Sequence, residues 1–177
     1  MKTMGITRAT RRGLLVLAAG ALALAITGCG STPSVKGSAT DTKQETAQEE
    51  QKTTDLAAGT AVDMGNGLTV SVDSIETGVA GSNGTYVKAT VTYKNEGEDT
   101  ASFNEYDWKG EDANGAQEHH EYYMSTDYKS DDNALGSGDL AAGGTKTGTI
   151  YFKEGTVKLV FTGNFFNKDV QASWTVA

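Results

Sequence analysis

The densest run of side chains able to do chemistry is Glu118-His119-His120-Glu121, which holds both histidines of the chain. Imidazole nitrogen and carboxylate oxygen together form a donor set typical of transition-metal sites. On a strand, alternation places Glu118 and His120 on one face and His119 and Glu121 on the other. The run then offers two ligands per face, and a complete site needs ligands from elsewhere. An exposed polar strand accounts for the same residues, and no metal or other cofactor is expected.

A second candidate is the acidic stretch that follows. From Glu96 to Asp139 there are 13 acidic residues against two lysines, Lys109 and Lys129. Hard oxygen ligands at this density suit Ca²⁺, above all around Asp127, Asp131, Asp132, Asn133 and Asp139. The segment Asp112-Ala113-Asn114-Gly115 lacks the spacing of a Ca²⁺ loop, and the aspartates from 131 to 139 follow no known ligand rhythm. A solvated acidic face is the default reading; extracytoplasmic ligand or Ca²⁺ binding by the insert 124–139 is the alternative function, and a purely structural envelope role is a second one.

Tyr122, Tyr123 and Tyr128 stand beside that acidic segment. Tyrosines flanked by polar residues are typical of adaptable recognition surfaces, so together with Asp127, Asp131 and Asp132 they form the candidate binding surface for a protein or glycan partner. Core packing accounts equally well for one or two of them. Phe165 and Phe166 are adjacent, so in an extended turn one reaches the core while the other faces out as a contact patch. The chain contains no nucleophile elbow, no phosphate-cradling loop leading into a helix and no zinc-protease helix motif, and no enzyme activity is expected.

The elements that position these residues follow from composition. A chain of 177 residues with one proline and 22 glycines has room for one domain once a leader and a linker are set aside. The formal charge of −8 includes Lys2, Arg8, Arg11 and Arg12; without these four it is −12. Every later basic residue is lysine, so the remainder lacks guanidinium forks for phosphate, and nucleic acid is excluded as a partner. An acidic surface is also repelled by anionic headgroups, so membrane association must come from an anchor.

That anchor is written at the N-terminus. A basic segment to Arg12 and an apolar run over 14–26 are the n- and h-regions of a signal peptide. The run is too short to cross a bilayer, which needs about 20 residues as a helix. It ends Ile26-Thr27-Gly28-Cys29, which resembles the lipobox of bacterial lipoproteins. By that resemblance residues 1–28 are removed, and Cys29 becomes the N-terminus and carries palmitate-type acyl chains, placing the protein on the extracytoplasmic face of the cell membrane. It is the only cysteine, so no intramolecular disulfide can form. The Arg11-Arg12 pair leaves the twin-arginine route open beside the general secretory one.

Residues 30–58 are rich in Ser, Thr, Gln, Glu and Lys, with almost no large apolar side chain before Leu56. The stretch reads as a disordered tether with a root-mean-square reach of ~30 Å. From residue 59 the apolar period becomes two. Strands are expected at 61–64, 68–73, 85–94, 101–103, 106–111, 116–123, 145–153, 157–162 and 171–176, with a hairpin turn at Asn114-Gly115. Short strands without a useful amphipathic helix predict an all-β, antiparallel sandwich of seven to eight strands over 59–177. Its expected core is Leu68, Val70, Val87, Ala89, Val91, Phe103, Trp108, Ile150, Phe152, Leu159, Phe161 and Trp174.

The run Leu68-Thr69-Val70-Ser71-Val72, the strand from Tyr86 through Asn95 to Gly97, the Asp112–Gly115 turn and the segment from Leu140 to Phe152 resemble the telokin-like, immunoglobulin-like domain of unknown function of Gram-positive lipoproteins, a family related to a secreted mycobacterial immunoprotective antigen. The resemblance implies an immunoglobulin-like fold and a cell-surface module with no established reaction. This chain departs from the pattern in the polar insert 124–138, where individual function is expected to sit. The oligomeric state is left open.

Overall fold

The computed structural model describes residues 34–36, 52–163 and 169–177. The leader 1–28, Cys29, most of the expected tether and the pair Phe165 and Phe166 lie outside the described residues. The strands are β1 (Ser34–Val35), β2 (Ala61–Asp63), β3 (Leu68–Gly81), β4 (Gly84–Asn95), β5 (Ala101–Asn104), β6 (Trp108–Asp112), β7 (Gln117–His119), β8 (Ser137–Leu140), β9 (Thr145–Lys153), β10 (Thr156–Phe161) and β11 (Ala172–Thr175), with a 3-10 turn at Glu105–Asp107. They form a five-stranded sheet in the order β1-β2-β3-β4-β9, a four-stranded sheet β11-β10-β6-β7 and a small ladder β5-β8, all antiparallel.

Alternation along β4 makes the sandwich. Val87, Ala89, Val91 and Tyr93 are buried, while the residues between them are half-exposed. They meet Trp108, Leu159, Phe161 and Trp174 of the opposite sheet in one contiguous core. The two indoles dominate it, since an aromatic ring buries roughly 150–250 Å². Both indole N–H groups are satisfied: Trp108 donates to the Tyr93 hydroxyl at 2.7 Å and Trp174 to the Thr60 carbonyl at 3.0 Å. Every expected core residue is buried except Phe103, which is half-buried against the cluster.

Four differences from the sequence reading have physical causes. β3 runs on to Gly81 through two register shifts, after Val72 and after Glu76; its outer half has no buried face, so it carries no alternating signal. The strand expected at 116–123 stops at His119. The polar insert is not wholly solvated: it runs into β8 and buries Leu135 to 2% exposure. Finally, the expected tether boundary at residue 58 falls inside an attached segment. Leu56 donates its N–H to Ser173 and accepts from the N–H of Thr175, running parallel to β11 and extending that sheet.

Candidate functional site

The insert is fastened to the free edge of β9. Glu121 N–H donates to the Tyr151 carbonyl at 2.7 Å, and further along Leu135 N–H donates to the Thr149 carbonyl while Thr149 N–H donates to Asn133, both at 2.9 Å. The edge that would otherwise offer unpaired backbone groups is thereby covered. The space for this crossing is made at Gly148, where a Cβ would stand 2.5 Å from the Cα of Leu135. Only a residue without a side chain lets the two backbones approach so closely.

Between these attachments the chain lies over the outer face of the larger sheet and buries two tyrosines there. Tyr123 stacks on Tyr151, with centroids 3.9 Å apart and planes 5° from parallel, and meets Tyr86 edge-on at 5.5 Å. The Tyr123 hydroxyl donates to the Ala80 carbonyl at 3.0 Å. Of the three tyrosines expected on a binding surface, Tyr123 is therefore the structural one. Tyr122 and Tyr128 are 74% and 72% exposed.

Tyr128 is held in the left-handed region, at φ +59°, which a bulky residue adopts only when its surroundings over-determine it. Here Tyr128 N–H donates to the Ser125 carbonyl, Ser125 N–H to the Lys129 carbonyl, and Lys129 N–H to the Ser125 hydroxyl. The closed turn from Ser125 to Lys129 thus presents an aromatic ring to solvent.

Asp131 does not face outward as a ligand. Its carboxylate accepts from the Thr149 hydroxyl at 2.6 Å, the Tyr151 hydroxyl at 2.7 Å and the Asn133 N–H at 2.9 Å. Burial pushes its pKa up, but these donors outweigh burial and hold it below the usual carboxylate value. Burial and the neighbouring Asp131 together push the Tyr151 phenol upward. Asp127 and Asp132 are exposed. Among the described residues no three His, Cys, Asp or Glu side chains come together as ligands for an ion.

The histidine run is dispersed by the early end of β7. His119 pairs with Lys109 across the ladder, whereas His120 has left the strand. Its Nε2 lies 3.8 Å from Glu105 Oε1, its ring packs on Tyr106 at 4.6 Å, and its buried Nδ1 has no hydrogen-bond partner among the described residues. Burial lowers its pKa and so favours the neutral ring, against the opposing pull of Glu105. Glu118 lies 3.4 Å from the ammonium of Lys153, and Glu121 is exposed. The expected pairing of Glu118 with His120 on one strand face is not formed.

Residues 37–171 match the sequence profile of a domain of unknown function, DUF4352. The chain belongs to the DUF4352 family. The family read from strand pattern and turn glycines is thus shown. No curated protein matches the chain. Among solved structures, YjhA of Bacillus subtilis is 16% identical and covers 69% of this chain and 99% of its own, with a TM-score of 0.52. At that identity the likeness shows the fold. The candidate lipoprotein YcdA of Bacillus subtilis is 14% identical over 63% of this chain, with a TM-score of 0.48, and this chain spans 36% of it. The secreted protein MPT63 of Mycobacterium tuberculosis is 14% identical, covers 66% of this chain and 84% of its own, and has a TM-score of 0.45.

The sequence did not single out Tyr86 and Tyr151, the base on which the insert rests. Their signal was present as two aromatic residues on the outward phase of β4 and β9, where polar residues are the rule.

Proposed function

We propose that this DUF4352 protein is a non-enzymatic surface module, anchored by lipid on Cys29 outside the cell membrane, that binds a protein or glycan partner through Tyr122 and Tyr128. The observation that carries the reading is the exposure of these two rings, 74% and 72%, on a segment pinned from below by the Tyr86–Tyr123–Tyr151 cluster. A rigid tyrosine offers contact area at low entropic cost, which is why tyrosine is enriched in recognition surfaces. Asp127 and Asp132 lend the surface an acidic rim.

Two experiments test the reading. Cys29→Ser is expected to move the protein from the membrane fraction to the soluble one; retention in the membrane would remove the anchor. Binding of the full chain is then screened on glycan arrays and by photo-crosslinking on intact cells, with and without the paired substitution Tyr122→Ser and Tyr128→Ser. Loss of the same glycan signal or crosslinked band in the variant supports the surface. Signals of equal strength would move the contact elsewhere.

A further inference from the structure

At one end of the sandwich the β2–β3 turn, the β4–β5 loop and the residues Gly163 and Gln171 surround a cleft of ≈430 Å³. Its walls combine the apolar side chains of Met64, Leu68 and Phe161 with the polar groups of Asp99 and Ser102, and Asp107 lines it from the 3-10 turn. Asp107 is 7% exposed. A buried carboxylate ordinarily carries two or three good hydrogen bonds or an ion pair. Among the described residues this one has a single contact of marginal length, the Tyr93 hydroxyl at 3.5 Å.

That contact is weaker than its length suggests. The Tyr93 hydroxyl already accepts from Trp108 and has one proton to give, and the Asn104 carbonyl, at 3.1 Å, is the nearer acceptor. Asp107's own backbone carbonyl, not its carboxylate, takes the Thr162 N–H and hydroxyl. No lysine is among the described residues lining the cleft, whereas a second carboxylate, Asp99, is. The main wall is also held in place: the buried Asn95 amide donates to the Asp99 and Leu140 carbonyls at 2.7 and 2.9 Å and accepts from Gly97 N–H at 3.0 Å. A buried, under-bonded acid that lines a cleft beside Met64, Leu68 and Phe161 describes a site for a cation with an apolar part.

We propose that this cleft binds a short aliphatic primary amine, its ammonium on the Asp107 carboxylate and its methylenes against Met64, Leu68 and Phe161. An ammonium supplies three donors to a carboxylate that has almost none. The volume and the apolar sides fit a chain of methylenes better than a bare ion, which needs six or more oxygen ligands when it is Ca²⁺. The inference is independent of the tyrosine surface, which lies on a different face and uses none of these residues.

The test is isothermal titration of the full chain with putrescine, with Nα-acetyl-lysine methylamide and with CaCl₂. Saturable binding of putrescine identifies a free diamine, and binding of the lysine amide identifies a lysine side chain of another polypeptide; both support the site. Asp107→Asn is expected to weaken the amine at least tenfold, whereas Glu76→Gln, on the exposed outer half of β3 and away from the cleft, leaves it unchanged. Should Asp107→Asn fail to fold, Thr100→Lys at the exposed mouth introduces a competing ammonium and is expected to weaken binding in the same sense. Absence of heat with both amines, equal affinity in the variants, or a response confined to Ca²⁺ overturns the proposal.

Discussion

Tyr123 lies flat on Tyr151, 3.9 Å between centroids, although 27 residues separate them in the chain. The pair does two things at once: it covers the outer face of β9 and it fixes the segment that carries Tyr122 and Tyr128. Stability and presentation of the surface are therefore coupled through Tyr123 and uncoupled at its neighbour.

Tyr123→Ala is expected to lower stability by roughly 3 kcal/mol, the usual scale for deleting a packed aromatic ring. Tyr122→Ala, at a residue 74% exposed, is expected to change stability by no more than about 0.5 kcal/mol. Urea midpoints of the two variants at pH 7.5 check both values. Equal midpoints would mean that the stack supports nothing.

Asn95 is 1% exposed and ties β4 to two loops through its side chain, while its backbone N–H donates to Gly144 and its carbonyl accepts from Gly143. Asn95→Ala leaves the Asp99 and Leu140 carbonyls without that donor. A loss of about 2–3 kcal/mol is expected from unmet buried hydrogen bonds. Hydrogen exchange is expected to quicken at Gly97, whose N–H loses its acceptor, and protection retained there would contradict the assignment.

Much of the sandwich is legible in the sequence because its central strands alternate cleanly. The interval 145–153 coincides with β9, and Trp108 and Trp174, both in the expected core, are fully buried. What escaped depends on partners distant in the chain. Ser137–Leu140 has turn-like composition and is a strand only because β5 lies beside it. Read as part of a strand over 106–111, Asp107 would sit outward of Trp108; the 3-10 turn instead buries Asp107 and leaves Tyr106 44% exposed. The candidate surface was partly legible. Tyr122 and Tyr128 are exposed, whereas Asp131 is taken up by Thr149 and Tyr151, contacts that no local pattern encodes.

Gly148 is the seat of the insert. Gly148→Ala places a Cβ against the backbone of Leu135, at 2.5 Å from Cα and 2.9 Å from N, where no rotamer change relieves the clash. A loss of about 1–3 kcal/mol is expected, the scale of overpacking in a filled core. The same change at the open position Gly115 gives no such contact, although its φ of +83° carries a strain of its own. The discriminating measurement is hydrogen exchange at Leu135, whose N–H donates to Thr149. It is expected to lose protection in Gly148→Ala and to keep it in Gly115→Ala.

Asp107 gives the fold a pH dependence of opposite sense to that of an ordinary paired carboxylate. Burial pushes its pKa up to about 6 from 3.8, against a small downward pull from Tyr93. The unfolded chain thus gives up this proton at lower pH than the folded one. The contribution to stability is complete below 3.8 and is lost as pH rises through 6, amounting to no more than about 3 kcal/mol. Asp107→Asn removes the titration while keeping the shape and the Thr162 bonds to the backbone carbonyl. The variant is expected to be more stable than the parent at pH 7.5 by about 1–2 kcal/mol. The advantage shrinks toward pH 4. Urea unfolding of both proteins from pH 4 to 7.5 measures the difference directly, and parallel curves across that window would show that the carboxylate finds a counter-charge within the free protein.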